Sequence, residues 1–412
     1  MLSPEDQALM TKVGPDTPCG DLLRRYWLPI CPAAELTAKT PKKRVRMLGE
    51  DMLVFRDGKG RYGMVEAQCR HRKTQLYFGF VEEDGLRCAY HGWKYDVAGK
   101  CIEQPFEPAN SPLKKEACLR AYPVQQMVGI LFGYMGPLPA PLLPRYEPLV
   151  RQDGTREVSV LPLHRCNWLQ AQENAVDTVH TYYLHGHMLK MQGLLSDKEG
   201  GYYYRPIEKY EFELVEEPNW AGIRKVRHYG GDRPEKELGH PAIFPNMLLV
   251  PQGEKLMMHF RVPVDDEHTY IIWSEFTPNE TGASVAQNDA DIPVNYFTDW
   301  IQPDGSYDLT TFMRHDQMAW EMQGKVYDRT SELLGVSDRG IVMLRNQLKQ
   351  QILAVQKGKE PLGVVRDPKL NESISFAVSQ GQAKSGARGE GRGHRRGVVR
   401  TPRANFVKRL SV

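Results

Sequence analysis

Two short loops with the same pair of metal-binding side chains constrain this sequence more than any other feature. They read Cys69-Arg70-His71 and, after sixteen intervening residues, Cys88-Ala89-Tyr90-His91. A zinc finger usually groups its cysteines on one arm and its histidines on the other, because a single ion needs four ligands around a point. One cysteine and one histidine on each arm instead suit a [2Fe-2S] cluster, in which the cysteines hold one iron and the histidines hold the other. We therefore expect His71 and His91 to face outward, where an electron can leave.

The residues around the two loops support a cluster site. Gly79, Gly85 and Gly92 lie where the backbone must pass close to the cluster. A structural zinc site built from the same cysteines and histidines is the alternative interpretation.

Together these residues resemble the Rieske domain of ring-hydroxylating oxygenases, whose motif is C-x-H-R followed by C-x-x-H-G-W. Arg72 follows the first histidine, and Gly92 and Trp93 follow the second. In that family the residue between the first cysteine and histidine is often proline, whereas here it is Arg70. Because Arg70 is not a ligand, this difference concerns only loop shape and partner docking. The resemblance implies that Cys69, His71, Cys88 and His91 hold the cluster.

Length and composition indicate an intracellular globular protein. The 412 residues allow two domains, each with its own core. No run of about 18 apolar residues occurs, and the start MLSPEDQALM lacks the basic and apolar blocks of a signal peptide. The seven cysteines are an odd number, which argues against a disulfide framework. We expect a cytoplasmic protein with reduced thiols and no membrane partner.

The net charge of +3 conceals an asymmetry between the body of the chain and its end. From Lys384 onward, nine Lys or Arg residues accompany one acid, Glu390, so the tail carries +8 and the rest of the chain −5. Such a Gly- and Arg-rich tail can bind RNA or a membrane surface. Its composition is more typical of a solvated, disordered segment, so we predict no nucleic-acid partner.

The first part of the chain has the pattern of a small all-β domain with the two loops at one tip. Residues 44–55 alternate apolar and polar side chains, and Asp57-Gly58 marks a hairpin that returns over residues 62–67. Five prolines between Gly136 and Pro148 indicate a stiff linker.

The second part mixes strands and helices. Apolar patterning predicts strands over 156–164, 202–214, 222–229, 242–250, 256–262 and 269–277, and helices over 167–183, 312–334 and 340–355. The predicted class is α+β: an N-terminal all-β Rieske [2Fe-2S] domain followed by a helix-grip catalytic domain, in which an antiparallel sheet is gripped by helices. The predicted domain limits are 1–145, 146–380 and, for the tail, 381–412.

A second group of metal-binding residues lies in the first predicted helix of that domain. Asn174, Asp177 and His180 are three residues apart and share one helical face. His185 lies five residues beyond His180 and cannot share that face in an unbroken helix, so we predict a kink or helix end near Tyr183. Two histidines and one carboxylate form the facial triad that binds Fe(II) and leaves positions open for oxygen and substrate.

The carboxylate must come from elsewhere in the chain. Asp316, in a later predicted helix, is the preferred candidate, and Glu321 in the same helix is the competing one. The chemistry of these side chains does not separate them. Ordinary helix-surface histidines are the alternative for His180 and His185, and the upstream cluster motif argues against it.

The resemblance extends over residues 15–365 and therefore over both domains. The pattern N-x-x-D-x-x-H-x-x-x-x-H, followed downstream by Asp and then Glu, resembles the mononuclear iron domain of Rieske oxygenases, particularly the phthalate dioxygenase branch; residues 328–348 are similar to that branch too. It implies that Fe(2+) is bound by His180, His185 and Asp316. It also implies a head-to-tail homotrimer, alone or as stacked trimers, in which Asp177 carries electrons from the cluster of one subunit to the iron of the next.

The resemblance implies an oxygenase subunit that uses O2 and NAD(P)H-derived electrons to hydroxylate, dihydroxylate or O-demethylate an aromatic acid. We expect no Rossmann-type G-x-G-x-x-G site and no plant-type C-x4-C-x2-C site in the chain. Electrons must then come from a separate NAD(P)H-dependent flavin reductase, with or without a ferredoxin. Basic Arg70, Arg72 and Lys73 beside the cluster suit docking to an acidic partner, and simple surface charge explains them equally well.

Arginine is the side chain best matched to an aromatic carboxylate, because it offers bidentate hydrogen bonds. The candidates in or near predicted strands of the second domain are Arg205, Arg224, Arg227 and Arg261, although arginines commonly face solvent. Phthalate-hydroxylating relatives carry an arginine before the strand that here reads HPAIFPNMLLVP, and none stands at the matching place. This difference favours a larger, methoxylated acid such as a lignin-derived fragment over phthalate itself.

Two alternatives come from other functional classes. One is an electron-transfer Rieske protein without oxygenase activity, whose second domain binds partners. The set His180, His185 and Asp316 separates it from an oxygenase, because an electron carrier has no need of a second iron. The other is a zinc-binding regulator, which would be colourless.

Overall fold

The structure is a computed structural model, and it describes residues 1–108, 110–193, 207–230, 235–378 and the backbone of 398–399. No helix in this part of the chain is long and apolar enough to cross a membrane. The tail predicted to be disordered, residues 381–412, lies outside the described residues except for the two-residue strand Val398–Val399.

The N-terminal part is built mainly from short strands, preceded by two short helices. Its elements are α1 Pro4–Thr11, α2 Pro18–Leu23, β1 Trp27–Pro32, β2 Lys42–Met47, β3 Glu50–Arg56, β4 Tyr62–Glu66, β5 Phe80–Glu82, β6 Gly85–Arg87, β7 Lys94–Tyr95, β8 Cys101–Glu103, α3 Leu113–Glu116, β9 Ala121–Tyr122, β10 Val124–Met127 and β11 Ile130–Tyr134. They form three small sheets in the orders β1-β11-β10, β2-β3-β4-β9 and β5-β6-β7-β8. The loop that contains Cys69 follows β4, and the loop that contains Cys88 follows β6.

One glycine pattern in this part has the spacing of a nucleotide-binding loop. Gly58, Gly60 and Gly63 read G-x-G-x-x-G, contrary to the expectation that the chain lacks this motif. They lie in the hairpin between β3 and β4 and in β4 itself. A dinucleotide-binding loop of this kind leads from a strand into a helix, whereas this one leads into another strand. The spacing here is that of a hairpin turn.

The C-terminal part contains one large sheet with helices packed against it. Its elements are α4 Glu147–Val150, β12 Gly154–Val160, α5 Trp168–Val176, α6 Met188–Met191, β13 Ile207–Glu217, β14 Trp220–Tyr229, β15 Glu235–Leu238, β16 Ala242–Ile243, β17 Met247–Gln252, β18 Lys255–Pro263, β19 Thr269–Pro278, β20 Val294–Phe297, α7 Phe312–Glu321, α8 Arg339–Gln356 and β21 Val398–Val399. A π-helix, Thr181–His187, lies between α5 and α6.

The described strands of this part form a single ten-stranded sheet. Its order is β13-β14-β16-β17-β18-β19-β12-β20-β21, with β15 paired to β14. The pairs are antiparallel except β12 and β20, which run parallel. Helix α5 packs across β14, β16 and β18, and α8 packs against α5, β13 and β14. The predicted α+β class, an all-β domain followed by a helix-grip domain, is confirmed.

Four predicted elements are shorter or broken. The strand predicted over 156–164 ends at Val160, and residues 202–206 of the strand predicted over 202–214 lie outside the described residues. The strand predicted over 242–250 is split into β16 and β17, because Pro245 cannot donate a backbone hydrogen bond to a ladder. The helix predicted over 312–334 ends at Glu321, shortly before Gly324, whose φ of 90° is incompatible with a continuing helix. The helix predicted over 167–183 ends at Val176.

The two parts of the chain share a hydrophobic core. Phe132 of β11 and Phe260 of β18 meet edge to face, with ring centroids 5.6 Å apart. The N-terminal segment also contacts the helix-grip part, since the side-chain amide of Asn167 donates to the carbonyl of Thr11 at 2.9 Å. Helices α1 and α2 lie within the predicted first domain, residues 1–145. They contact the other domain as well.

A buried ion-pair network joins α5 to α8. Glu173 of α5 accepts two hydrogen bonds from Arg329, at 2.8 and 2.7 Å, and one from Nε of Arg345 at 2.7 Å. Arg345 also pairs with Glu332, and these side chains are at most 8% exposed. Because two buried guanidinium groups share Glu173, its removal leaves uncompensated charge in the core.

We predict that Glu173→Ala destabilises the protein by about 3 to 5 kcal/mol, the usual scale for breaking a buried ion pair. The matched control is Glu360→Ala, because Glu360 and its partner Arg366 are 45% and 43% exposed. In this control variant the free energy of unfolding is expected to fall by about 0 to 1 kcal/mol. Thermal unfolding followed by circular dichroism measures both variants. Equal shifts in the two would contradict a structural role for the network.

Candidate functional site

The two cysteine loops are closed by the same hydrogen bonds. The backbone N–H groups of Cys69 and Cys88 each donate to the carbonyl five residues ahead, at 2.9 and 2.8 Å. The carbonyls of the two cysteines accept from Lys73 and Gly92, whose φ angles of 58° and 72° lie in the left-handed region. Glycine adopts this conformation freely, whereas lysine does so with some strain. The loops are thus matched supports for two pairs of side chains.

In these loops the thiols point inward and the imidazoles point outward. Cys69 and Cys88 are 2% and 3% exposed, and the Cys69 sulfur lies 3.2 Å from the hydroxyl of Tyr95. His71 is exposed and His91 is half-buried, with ring centroids 4.5 Å apart. Two inner sulfur donors and two outer nitrogen donors fit a [2Fe-2S] cluster, one iron facing each side.

The sulfur and nitrogen donors differ in their protonation. Burial raises the pKa of the Cys69 thiol, the hydrogen bond from Tyr95 lowers it, and the adjacent Cys88 raises it again. Metal binding must therefore displace a proton from Cys69. Desolvation and the neighbouring His71 hold the pKa of His91 below its ordinary value, which keeps the imidazole in the neutral form that binds metals.

A turn at the end of α5 and the π-helix after it determine the positions of His180 and His185, which belong to the second group of metal-binding residues. Asp177 has extended backbone angles, φ −76° and ψ 127°. Its carboxylate accepts the backbone N–H groups of Val179 at 2.9 Å and His180 at 3.3 Å, as an N-cap residue does at a helix start. In the following π-helix, Thr181–His187, backbone hydrogen bonds join residues five apart.

This geometry brings His180 and His185 onto one face. The predicted break near Tyr183 is wrong in position, because the α-helix ends at Val176 and Tyr183 lies inside the π-helix. The sequence pattern missed the break because Asn174, Asp177 and His180 keep a helical spacing across it. The wider π-helical turn, not a kink, accommodates the five-residue separation.

Asp316 of α7 completes the group. The candidate ligand atoms of His180, His185 and Asp316 all lie within 4.8 Å of one another. Oδ1 of Asp316 is 3.3 Å from Nε2 of His185 and 3.8 Å from Nε2 of His180. Burial raises the pKa of Asp316, but the imidazoles and Arg261 lower it further, to about 2. Two imidazoles and a charged carboxylate fit a facial Fe(II) site with open positions.

Glu321, the competing candidate, lies elsewhere. Its carboxylate accepts the backbone N–H of Arg165 at 2.7 Å and lies 3.6 Å from the Arg165 guanidinium. Five residues do not complete a whole number of α-helical turns, so Glu321 and Asp316 point in different directions from α7. The structure brings Asp316, and not Glu321, to the two histidines.

Two neighbours of this group were not singled out as site residues from the sequence. The amide of Asn174 donates to Oδ1 of Asp316 at 3.2 Å. Nδ1 of His315 lies 3.5 Å from Nδ1 of His185, and Nε2 of His315 lies 2.8 Å from the carbonyl of Leu309. Such contacts orient metal ligands. The spacing of Asn174 from Asp177 was a usable signal, whereas nothing in the sequence placed His315 beside His185.

The four arginines proposed for substrate binding occupy different environments. Arg227 forms a bidentate pair with Glu237, at 2.8 and 3.0 Å. Arg224 pairs with Glu213 at 2.6 Å on the opposite face of the same strand. Arg261 is 2% exposed, and its guanidinium lies 5.9 Å from the ring of Trp320, on the helix that contains Asp316. Arg205 lies outside the described residues.

Comparison with known proteins gives two family matches. Residues 26–123 match the family described as Rieske [2Fe-2S] domain, and residues 295–381 match the one described as LigXa C-terminal domain like. The 5,5'-dehydrodivanillate O-demethylase oxygenase subunit of Sphingobium sp. is 37% identical, over 91% of this chain and 86% of that protein. The phenoxybenzoate dioxygenase subunit alpha of Ectopseudomonas oleovorans is 34% identical, over 86% and 87%.

The fold also matches solved structures. The reduced complex between oxygenase and ferredoxin in carbazole 1,9a-dioxygenase contains a chain with a TM-score of 0.60 and 20% sequence identity to this one. The match covers 91% of this chain and 99% of that chain. At this identity the likeness concerns the fold alone.

Metal analysis distinguishes the two groups of residues. We predict about three irons and two acid-labile sulfides per chain in anaerobically purified protein. The Asp316→Ala variant is expected to contain about two irons per chain with its sulfide content unchanged, because only the facial site loses a ligand. Glu321→Gln, the matched control on the same helix, is expected to retain all the iron. Loss of iron from the Glu321 variant alone would contradict the assignment.

Proposed function

This chain belongs to the Rieske non-haem iron oxygenases and is the terminal oxygenase subunit of a multicomponent system, and we propose that its substrate is an aromatic acid. In this proposal O2 and NAD(P)H-derived electrons are used to hydroxylate, dihydroxylate or O-demethylate the acid. The observation that supports it most strongly is the convergence of His180, His185 and Asp316 in a chain that also has the cysteine and histidine loops. An electron carrier needs only the loops.

The proposed ligands follow from this assignment. We propose that Cys69, His71, Cys88 and His91 hold the [2Fe-2S] cluster and that His180, His185 and Asp316 hold Fe(2+). When bound, the cluster supplies single electrons and the mononuclear iron supplies the reaction with O2. The residues of the chain act by position, since Asn174 hydrogen-bonds Asp316 and Asp177 caps the segment that contains His180. We keep 1–145, 146–380 and 381–412 as the proposed domain limits.

We propose that Asp177 carries electrons between neighbouring subunits of a homotrimer. The homotrimer is proposed to occur alone or as stacked trimers. Oδ2 of Asp177 lies 3.5 Å from Nδ1 of His180, so the carboxylate touches a proposed iron ligand. A trimer is supported by the apolar side chains that the cluster tip exposes, since such patches mark interaction surfaces. These are Tyr77, Phe78, Phe80, Tyr90 and Phe106.

The substrate class is supported by the relatives and by buried cations. The names of the two relatives refer to aromatic acids, one of them an O-demethylase substrate. Arg261 is buried beside Trp320 of α7, the helix that contains Asp316, and an arginine suits a carboxylate. We therefore propose an aromatic acid that is phthalate-like or methoxylated and lignin-derived.

The electron donor is proposed to be a separate NAD(P)H-dependent flavin reductase, with or without a ferredoxin. A fold neighbour that was solved with a ferredoxin supports an electron-transfer partner. Arg70, Arg72 and Lys73 are exposed beside the cluster loop, where positive charge favours an acidic partner. We place this system in the cytoplasm, which suits reduced thiols.

Reconstitution tests the proposed function. Purified protein, a flavin reductase and NADH are combined with methoxylated and unmethoxylated aromatic acids, and O2 uptake and product are measured. We expect one class of acid to stimulate O2 uptake with matching product, either formaldehyde and a phenol or a hydroxylated acid. His180→Ala should abolish this uptake while its cluster is still reduced. Reduction without acid-dependent uptake in the wild type would instead support the electron-transfer alternative.

The role of Asp177 gives a separate prediction. Asp177→Asn keeps an oxygen that can accept the backbone N–H of Val179 and removes the negative charge. We expect iron, sulfide and reduction of the cluster to be unchanged, and product formation to fall on the order of a hundredfold, the scale for losing a positioned catalytic group. Stopped-flow reoxidation of the cluster in the presence of O2 and substrate is the measurement. Reoxidation at the wild-type rate would contradict the bridge.

A further inference from the structure

The side-chain amide of Gln104 is buried and lacks a hydrogen-bond partner. Gln104 directly follows β8, and in the described part of the chain no group hydrogen-bonds its Nε2 or its Oε1. The residue as a whole is only half-buried, so the amide is the part that the fold encloses. A buried amide without a partner is destabilising, and native structures pair almost all such groups. We therefore expect a partner that the polypeptide itself does not supply.

Gln104 lies next to the second cysteine loop. Strand β8 pairs antiparallel with β7, so the chain beyond β8 runs alongside the residues that precede β7. Pro105 follows this course, because a Cβ atom added to Gly92 would lie 3.2 Å from the Pro105 ring. Gly92 in turn donates its backbone N–H to the carbonyl of Cys88 at 3.0 Å. Gln104 is thus level with the end of the loop that carries Cys88.

The direction of the Gln104 side chain follows from its neighbour on the strand. Glu103 lies opposite Lys94 in the β7–β8 register and forms an ion pair with it. Successive side chains of a strand point to opposite faces, so Gln104 is directed to the other face, which it shares with Tyr95. There the Tyr95 hydroxyl lies 3.2 Å from the sulfur of Cys69. Both thiols belong to the hydrophobic cluster that includes Cys69, Cys88, Trp93, Tyr95 and Cys101.

A [2Fe-2S] cluster held between the two loops supplies the kind of partner that this amide needs. The sulfur atoms of the cluster accept hydrogen bonds and donate none, so Nε2 of Gln104, which carries two N–H groups, is the atom that suits them. The reduced cluster carries one electron more than the oxidised cluster. Because a hydrogen bond to a more negative acceptor is stronger, a donor beside the sulfur atoms favours the reduced form, and such hydrogen bonds help to set the reduction potential.

From these observations we infer that the Gln104 amide donates a hydrogen bond to a sulfur atom of the cluster and raises its reduction potential. The step concerned is the one-electron reduction of the cluster by its electron donor, in which no atom or proton is transferred. Gln104 acts only through the cluster and is therefore a positioning residue. The inference rests on the proposed cluster ligands and goes beyond them. Gln104 was not recognised from the sequence, because a lone glutamine is usually a solvent-facing residue.

Redox titration of the holoenzyme tests the inference. The Gln104→Met variant keeps the length of the side chain and removes both amide N–H groups. At a fixed potential we expect the ratio of reduced to oxidised cluster to fall about tenfold, which lowers the midpoint potential by about 59 mV for a one-electron couple. The midpoint is measured with mediator dyes, by visible absorption and by electron paramagnetic resonance of the reduced cluster. An unchanged or higher midpoint would refute the inference.

A spectroscopic measurement separates the hydrogen bond from a change in packing. After exchange into D2O, pulsed electron paramagnetic resonance of the reduced cluster detects deuterons that are hydrogen-bonded to it. The wild type should show an exchangeable coupling that Gln104→Met lacks. The matched control is Gln125→Met, the same substitution at an exposed position of β10, which should keep both this coupling and the wild-type midpoint. Identical couplings in the wild type and Gln104→Met would contradict a hydrogen bond from Gln104.

The iron and sulfide contents distinguish a failure of the inference from a failure of the proposed cluster. Gln104→Met, and Gln104→Leu as a second variant without a donor, should each retain the two cluster irons and two sulfides per chain, because Gln104 is not a ligand. Loss of the cluster from both variants would assign Gln104 to the support of the loop and overturn the inference. A wild-type protein without acid-labile sulfide would reject the cluster itself, whereas an intact cluster with one midpoint in all variants would reject the inference alone.

Discussion

The carboxylate of Asp177 accepts two backbone hydrogen bonds where α5 ends, and the arrangement of the iron site depends on this turn. It stops the α-helix and starts the segment in which a π-helix places His180 and His185 on one face. Asp177 also contacts His180 directly. One side chain therefore shapes the backbone, touches a proposed ligand and is the proposed electron bridge between subunits.

Other contacts of the helix-grip domain fix the position of this turn relative to α7 and α8. Glu173, one turn before Asp177 on α5, is held by two arginines that reach it from the loop before α8 and from α8 itself. Helix α7 brings Asp316 to the histidines and turns Glu321 away to Arg165. Strands β14, β16 and β18 of the sheet pack against α5.

Much of this architecture was predictable because short sequence patterns indicate its strands and loops. Alternating residues predicted the hairpin of β3 and β4, and the paired cysteine and histidine loops predicted a tip with outward-facing histidines. The choice between Asp316 and Glu321 was not predictable from chemistry, since it depends on the direction in which α7 presents each carboxylate. The end of α5 was hidden by a helical spacing that continues through it.

The central claim is that one chain holds an electron-transfer cluster and a separate iron with open coordination positions. Electron paramagnetic resonance of the reduced protein with one equivalent of nitric oxide tests it most directly, because nitric oxide binds rapidly to iron(II) with an open position. The account predicts two signals in the wild type, one from the reduced cluster and one from a high-spin iron nitrosyl, and only the cluster signal in Asp316→Ala. A wild-type protein that shows the cluster signal alone, after loading with Fe(2+), would contradict the account.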